Sequence, residues 1–332
     1  MFEQRSRYLL PFAILIAILA VSTASIFIRF AQREAPSLVI AAYRLTLASL
    51  VLAPLALTRH RAELRSLTQR EFLLALLSGA FLAIHFATWI SSLEYTTVAS
   101  SVVLVSTSPL WVGLLSPLFL REPLTKYVLI GMTLALTGGT VIGLSDAGGW
   151  QNGLVFSHLH EFWRGQAMWG NFLALAGAWA VTGYLMIGRQ LRAKMSLVAY
   201  IFVVYGMAAI VLIGIMFAAG ESPVGYSPMT FLWMLLLALV PQLVGHSTYN
   251  WALRYLPAAL VAVTTLGEPI GSTILAYFIL REAPSALKVI GAILILAGIT
   301  IASRSGVNKP TSAKQPFPTE AGKNRETIRP RD

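Results

Sequence analysis

Apolar runs of about twenty residues, set apart by short clusters of charge, Gly and Pro, recur along almost the whole chain. A hydrocarbon core about 30 Å thick takes roughly twenty residues of helix to cross. The pattern predicts ten transmembrane helices, at residues 8–30, 37–57, 71–92, 97–119, 127–145, 167–188, 196–219, 228–252, 257–280 and 285–303. Arg33-Glu34-Ala35-Pro36 and Arg121-Glu122-Pro123 are typical of the punctuation between them. The expected fold class is therefore an all-α integral membrane protein.

Most connections are too short to hold a domain. The longest, residues 146–166, contains Trp150, Trp163 and the sequence His158-Leu159-His160-Glu161. Phe156, Leu159, Phe162 and Trp163 follow helical spacing there, so a short helix lying in the membrane interface is expected. Beyond the last run, residues 304–332 are polar, with Pro and Lys and little apolar content. Such a tail lacks the apolar area to offset its ordering entropy and is read as disordered and cytoplasmic. Met1 to Arg7 ahead of an apolar stretch has the look of a signal peptide. The stretch Tyr8 to Phe30 is longer than such a core and is read as the first span.

Composition sharpens this reading. Hydrophobic residues make up 56% of the 332 and charged residues only 12%, against about 25% charged in a soluble domain. The net charge of +11 does not imply a nucleic-acid partner, because Lys and Arg flanking membrane spans collect on the cytoplasmic side. With the N-terminus in the cytoplasm, nineteen Lys and Arg fall inside and five outside, with Arg44 left within a span. Both termini are then cytoplasmic and the protein is expected in the cell inner membrane. The chain has no cysteine, which excludes disulfides, thiolate nucleophiles and Cys-based metal sites.

The chain also repeats itself. A shift of 160 residues aligns Leu93–Thr140 with Leu253–Thr300 without a gap, with fifteen identities in 48 positions, where composition alone would give about 5. The pairs include Pro109/Pro269, Leu120-Arg121-Glu122/Leu280-Arg281-Glu282, Gly131/Gly291 and Gly138/Gly298. The same shift pairs Ala20-Val21-Ser22 with Ala180-Val181-Thr182, and Arg29 with Arg189. Each copy holds five spans, at 1–145 and 167–303. Five is odd, so the copies enter the membrane from opposite faces as inverted repeats, an arrangement that puts a transporter's substrate site near the midplane. The glycine pairs, seven residues apart, mark a helix face for close packing. Arg121-Glu122 and Arg281-Glu282 read as helix ends anchored by snorkelling charges.

The paired halves, the mid-helix Pro109 or Pro269 in each fourth span, and the Leu-Arg-Glu that ends that span together resemble the EamA-like permeases of the drug/metabolite transporter superfamily. The resemblance covers residues 8–303, and Arg44 after Pro36 is similar to an Arg common at that place. Departures are the long fifth-to-sixth loop and Ala283 where the first half has Pro123. The resemblance implies an alternating-access permease for amino acids, other small metabolites or drugs, often acting outward.

Ionisable groups inside spans are functional candidates, because leaving one in lipid costs about 2.5–3.5 kcal/mol on insertion scales. Glu268 stands at the centre of the ninth span, just before Pro269. Its carboxylate is a candidate for proton coupling, for binding a substrate amine, or for pairing with Arg. Pro109 and Pro269 are expected to bend their helices. Arg44 is open to a substrate carboxylate, to Glu94, or to backbone carbonyls. His85 and Trp89 share a face of the third span; their counterparts are Gly245 and Tyr249, with His246 and Asn250 alongside. Trp111, Trp179, Tyr184, Tyr200 and Tyr205 complete an expected aromatic wall, packing or interface anchoring being the alternative. Ser22, Thr23 and Ser25 either line the same cavity or bond back to their own helix.

His158 and His160 have no third ligand in view, so no metal is expected, and no cofactor. The expected function is secondary transport of a small-molecule substrate, most simply the export of an amino acid or a related compound by alternating access, with a multidrug or lipid-linked cargo as the alternative. A membrane-embedded lipid-modifying enzyme would need clustered nucleophile, acid/base or metal groups, and the sequence has no such set. The other partners are the lipid bilayer, a proton or counter-substrate for coupling, and a second copy if the protein is a homodimer; no nucleic acid is expected.

Overall fold

The computed structural model describes residues 2–96, 98–147, 166–280 and 286–304. Trp150, the His158–Glu161 cluster, Trp163, Arg281, Glu282, Ala283 and the tail from 305 onward lie outside the described residues. Every regular element among the described residues is helical. In chain order they are α1 (Phe2–Ser22), α2 (Ala24–Ala31), α3 (Ser37–Arg59), α4 (Arg61–Ser66), α5 (Gln69–Tyr95), α6 (Val98–Val105), α7 (Ser108–Phe119), α8 (Lys126–Ala147), α9 (Gln166–Arg192), α10 (Leu197–Ala218) and α11 (Pro228–Leu237). A π-helical segment (Ala238–His246) follows, then α12 (Ser247–Ala252), α13 (Ala258–Thr265), α14 (Glu268–Leu280) and α15 (Ala286–Ser303).

Seven stretches among the described residues are long and apolar enough to cross a membrane: Leu9–Ala31, Ser37–Arg59, Gln69–Tyr95, Met168–Arg192, Leu197–Ala218, Pro228–Ala252 and Ala258–Ile279. Three shorter apolar helices accompany them, Ser108–Phe119, Lys126–Gly138 and Val289–Ala302. Helix is the form these runs must take, because lipid offers the peptide groups no hydrogen bonds and only a closed internal ladder satisfies them. The ends are capped where the chain returns to water. Thr68 and Glu71 form a reciprocal capping box at the start of α5. Ser196 and Ser227 accept from the N–H groups of Ala199 and Thr230, each satisfying a donor the first helical turn leaves open.

The long helices pack in pairs that respect the 160-residue shift: α8 with α15, α3 with α10, α5 with α9, and α1 with the π-helical segment. Glycine sets the closest approaches. A Cβ added at Gly131 would lie 2.4 Å from Gly298 O, and one at Gly138 would lie 2.4 Å from Gly291 O. Moving one contact along by the shift, and exchanging its partners, produces the other. The same holds elsewhere: a Cβ on Gly177 would sit 3.5 Å from His85 O, and one on Gly245 would sit 3.4 Å from Ala17 O.

Glu122 does more than anchor a helix end. Its carboxylate accepts from Arg189 Nε at 2.6 Å and from the Ala258 N–H at 3.1 Å. Arg189 Nη1 in turn donates to Leu253 O at 2.7 Å. One mostly buried ion pair thus ties the end of α7 to α9 and to the start of α13. Arg121, beside it, turns the chain with a left-handed φ of 54°.

At the other ends, carboxylates join segments distant in sequence. Glu34, between α2 and α3, accepts from Ser227 N at 2.9 Å and Thr230 Oγ1 at 2.7 Å, and these bonds hold it below the usual carboxylate range. Glu63 on α4 accepts from Ser196 N at 2.6 Å; burial pushes its pKa up, but the hydrogen bonds from Ser196 and His60 outweigh that and lower it. Glu94 accepts from Ser37 N at 3.1 Å, capping α3.

Four variants test these contacts. Gly138→Leu forces a side chain against a backbone oxygen, so thermal unfolding in detergent should show a loss of about 1–3 kcal/mol, the usual cost of overpacking. Gly214→Ala, where a Cβ meets nothing within 4 Å, should leave the unfolding temperature unchanged. Arg189→Ala strands the mostly buried Glu122 carboxylate and should destabilise by about 3 kcal/mol, whereas a double variant with Glu122→Gln should recover part of that loss.

Candidate functional site

The helical runs of this bundle are interrupted in four places. α1 gives way to α2 at Thr23, α6 to α7 at residues 106–107, and α13 to α14 at residues 266–267. Between α11 and α12 the chain passes through nine π-helical residues that include Pro241, which has no N–H to give the ladder. Pro109 and Pro269 were expected to bend their helices. The structure instead stops each helix and restarts it, with the proline in the first turn of the new segment, where its missing N–H costs nothing.

All four interruptions border one cavity of about 60 Å³, large enough to admit water. Val21 reaches it from α1 and Ala24 from α2, Ser106 from the break before α7 and Ser108 from α7 itself, His246 from the π-helical segment, Tyr249 from α12, Thr265 from α13 and Glu268 from α14. Regular helices supply the rest of the wall: Arg44 from α3, His85 and Trp89 from α5, and Val181, Tyr184 and Leu185 from α9.

Arg44 is wholly buried. Its Nε donates to Gln242 Oε1 at 2.8 Å, and its guanidinium carbon lies 4.1 Å from the centre of the Phe86 ring, a cation–π distance. Neither Nη1 nor Nη2 has a hydrogen-bond partner among the described residues. Glu94 caps α3 instead of meeting Arg44. Glu268 shares the cavity and attracts Arg44 through space, but no direct ion pair joins them. Its main-chain carbonyl lies 3.3 Å from Ser22 Oγ, bringing α14 against the end of α1. A Cβ on Gly271 would fall 2.0 Å from that same hydroxyl oxygen. Ser22 also bonds to Ile18 O and Thr23 to Ala20 O, so these hydroxyls turn to their own helix rather than to the cavity.

His85 Nδ1 lies 3.0 Å from Gly177 O. A carbonyl only accepts, so Nδ1 carries the proton and Nε2 of the neutral ring is left as an acceptor. The ring stacks on Trp89, with centroids 5.8 Å apart and planes 11° from parallel. His246 meets Phe86 edge-on at 5.3 Å. Trp89 Nε1 and Tyr249 Oη are buried without partners among the described residues.

Behind the wall runs a layer of hydrogen bonds. Asn250 Nδ2 donates to Tyr184 Oη, to Tyr205 Oη at 3.3 Å and to His246 O at 2.9 Å. Tyr205 Oη and Ser247 Oγ are 3.2 Å apart, and Ser247 Oγ donates to Gln242 O at 3.3 Å. Tyr200 pairs with Ser78 at 2.8 Å. Seven of the twelve residues singled out in the sequence therefore line the cavity: Arg44, His85, Trp89, Tyr184, His246, Tyr249 and Glu268. Asn250, Tyr200 and Tyr205 lie behind it. Trp111 and Trp179 stand apart, edge-to-face at 5.7 Å with Trp179 43% exposed, as packing aromatics at the bundle surface.

Gln242 and Phe86 escaped the sequence reading. The only signals were an amide after Pro241 in an apolar run, and an aromatic residue adjoining His85. Chemically the cavity combines a cation with two free donor nitrogens, a carboxylate, further unpaired N–H and O–H groups, and apolar walls. Among the described residues no group of three metal-ligating side chains occurs.

Known proteins bear on this arrangement. The chain is 25% identical over 279 residues to an uncharacterized transporter of Archaeoglobus fulgidus, covering 82% of this chain and 90% of that one. It is 29% identical over 214 residues to the uncharacterized transporter YetK of Bacillus subtilis, covering 63% of this chain and 60% of that one. A solved structure, titled only as the crystal structure of a protein, superposes with a TM-score of 0.71 at 20% identity, over 89% of this chain and 96% of its own; it speaks for the fold alone. The EamA-like transporter family matches twice, over residues 10–144 and 168–304. The two matches fall on the two halves that the 160-residue shift delimits, and the chain belongs to the EamA-like transporter family.

Proposed function

We propose that this protein is a ten-span secondary transporter that carries a small zwitterionic metabolite, of the size and kind of an amino acid, outward across the cell inner membrane. The observation that carries the reading is the buried Arg44, whose two free nitrogens share a small cavity with the Glu268 carboxylate. A guanidinium edge matches a carboxylate in geometry and charge, and a carboxylate opposite it suits an ammonium group. Val21, Val181 and Leu185 offer apolar surface between the two.

The two halves are inverted copies in this reading, with both termini cytoplasmic. The reciprocal glycine contacts and the paired family matches support it. Alternating access follows from the same symmetry: rocking one half against the other exposes the cavity to each face in turn. Glu34 with Ser227 and Thr230 then acts as a latch on the outer face. Glu63 with Ser196 acts as its cytoplasmic counterpart. Glu268 couples movement to protons by exchanging its proton when the cavity faces water. Capture of apolar drugs fits less well, because covering Arg44 and Glu268 with apolar surface would strip their hydration and supply no polar partner.

Counterflow of radiolabelled amino acids in proteoliposomes tests this directly. Arg44→Ala and Glu268→Gln should each cut flux by about tenfold or more, as expected when a charge-assisted contact is removed. Unchanged flux in both variants would overturn the assignment. Because the chain is free of cysteine, Ser108→Cys provides a lone thiol in the cavity wall. It should react with impermeant thiol reagents from either face, and amino acid should protect it. Glu34→Gln should shift that reactivity toward the outer face and Glu63→Gln toward the cytoplasmic one; reactivity that ignores both changes would exclude these latches.

A further inference from the structure

The geometry points to Gln242 as the residue that keeps the charge of Arg44 available for a carboxylate-bearing cargo. The inference rests on the reading of the cavity as the cargo site. Gln242 is wholly buried on the π-helical segment, and its Oε1 takes the Nε–H of Arg44 at 2.8 Å. Occupying Nε fixes the guanidinium by one edge, while Phe86 lies against its face at 4.1 Å. What remains is the edge bearing Nη1 and Nη2, both without partners among the described residues. That edge is the one a carboxylate meets end-on with two parallel hydrogen bonds.

The residue type matters as much as its place. Glutamate has nearly the same shape and would grip Nε as well, but its charge would cancel that of Arg44 and, with Glu268 in the same cavity, leave the site negative. The neutral amide holds the geometry and leaves the charge unspent. Gln242 is itself held: its main-chain carbonyl accepts from Ser247 Oγ at 3.3 Å, and Ser247 in turn contacts Tyr205. Gln242 is thus a positioning residue that sets which charge the cargo must bring.

The full-length protein in proteoliposomes tests the idea with two probes, leucine and 3-methylbutylamine, the same molecule without its carboxylate. A third measurement follows 2,3-butanedione modification of Arg44 in borate by peptide mass spectrometry. In Gln242→Glu, Arg44 should react about tenfold more slowly, as a paired guanidinium does, and leucine flux should vanish while amine flux persists or rises. In Gln242→Leu, Arg44 should stay reactive within about twofold, with leucine KM raised about fivefold and kcat little changed, the signature of lost ground-state binding. Equal Arg44 reactivity in wild type and Gln242→Glu overturns the proposal, as does an equal loss of both cargoes in the two variants. Should Gln242→Glu not fold, loss of Arg44 reactivity in Gln242→Leu overturns it alone. A wild-type protein that moves neither probe defeats the functional reading, while the butanedione comparison still decides the role of Gln242.

Discussion

In hydrocarbon a peptide group has no water to turn to, so every break in a helix must open onto protein or a polar cavity. This constraint organises the molecule. The breaks at Thr23, at 106–107 and at 266–267, and the π-helical stretch around Pro241, lie on four different helical runs, yet all border the same cavity. The bundle is irregular where it converges on Arg44 and Glu268. The irregular backbone marks the site as clearly as the charges do.

Burying a guanidinium is the other demanding feature, because desolvation costs several kcal/mol per ion before any partner is found. Arg44 recovers part of that through Gln242, through the face of Phe86 and through attraction to Glu268. None of these uses the two terminal nitrogens. A structural arginine would have them bonded, since buried polar atoms nearly always find partners. In the proposed cargo site, one satisfied and two unsatisfied nitrogens would make Arg44 a group held ready for a ligand.

Glycine contacts hold this arrangement together. The backbones of α8 and α15 approach so closely at Gly131, Gly138, Gly291 and Gly298 that no side chain fits between them. Without a hydrophobic drive between helices in lipid, such close van der Waals packing is the main source of cohesion. The Glu122–Arg189 pair adds a polar tie at the ends of the spans. The terminal carboxylate bonds of Glu34 and Glu63 are, by contrast, local and lie near the protein surface.

Sequence alone determined the helical class, the positions of the apolar runs, the internal repeat, and two ionisable groups misplaced for lipid, Arg44 and Glu268. It could do so because membrane thickness and desolvation cost are written in run length and residue type, with no need of tertiary contacts. Only the tertiary structure decided which polar groups meet. His85 and Tyr249 turn inward and Trp179 turns out, since the rotation of a uniformly apolar helix about its axis leaves no trace in composition. The π-helical segment and Gln242 were equally hidden: a neutral amide carries little weight in an apolar count, and its importance comes from Arg44, 198 residues away in the chain. Glu122 had the look of an anchor for the same reason, until Arg189 and Ala258 supplied the partners that packing alone brings near.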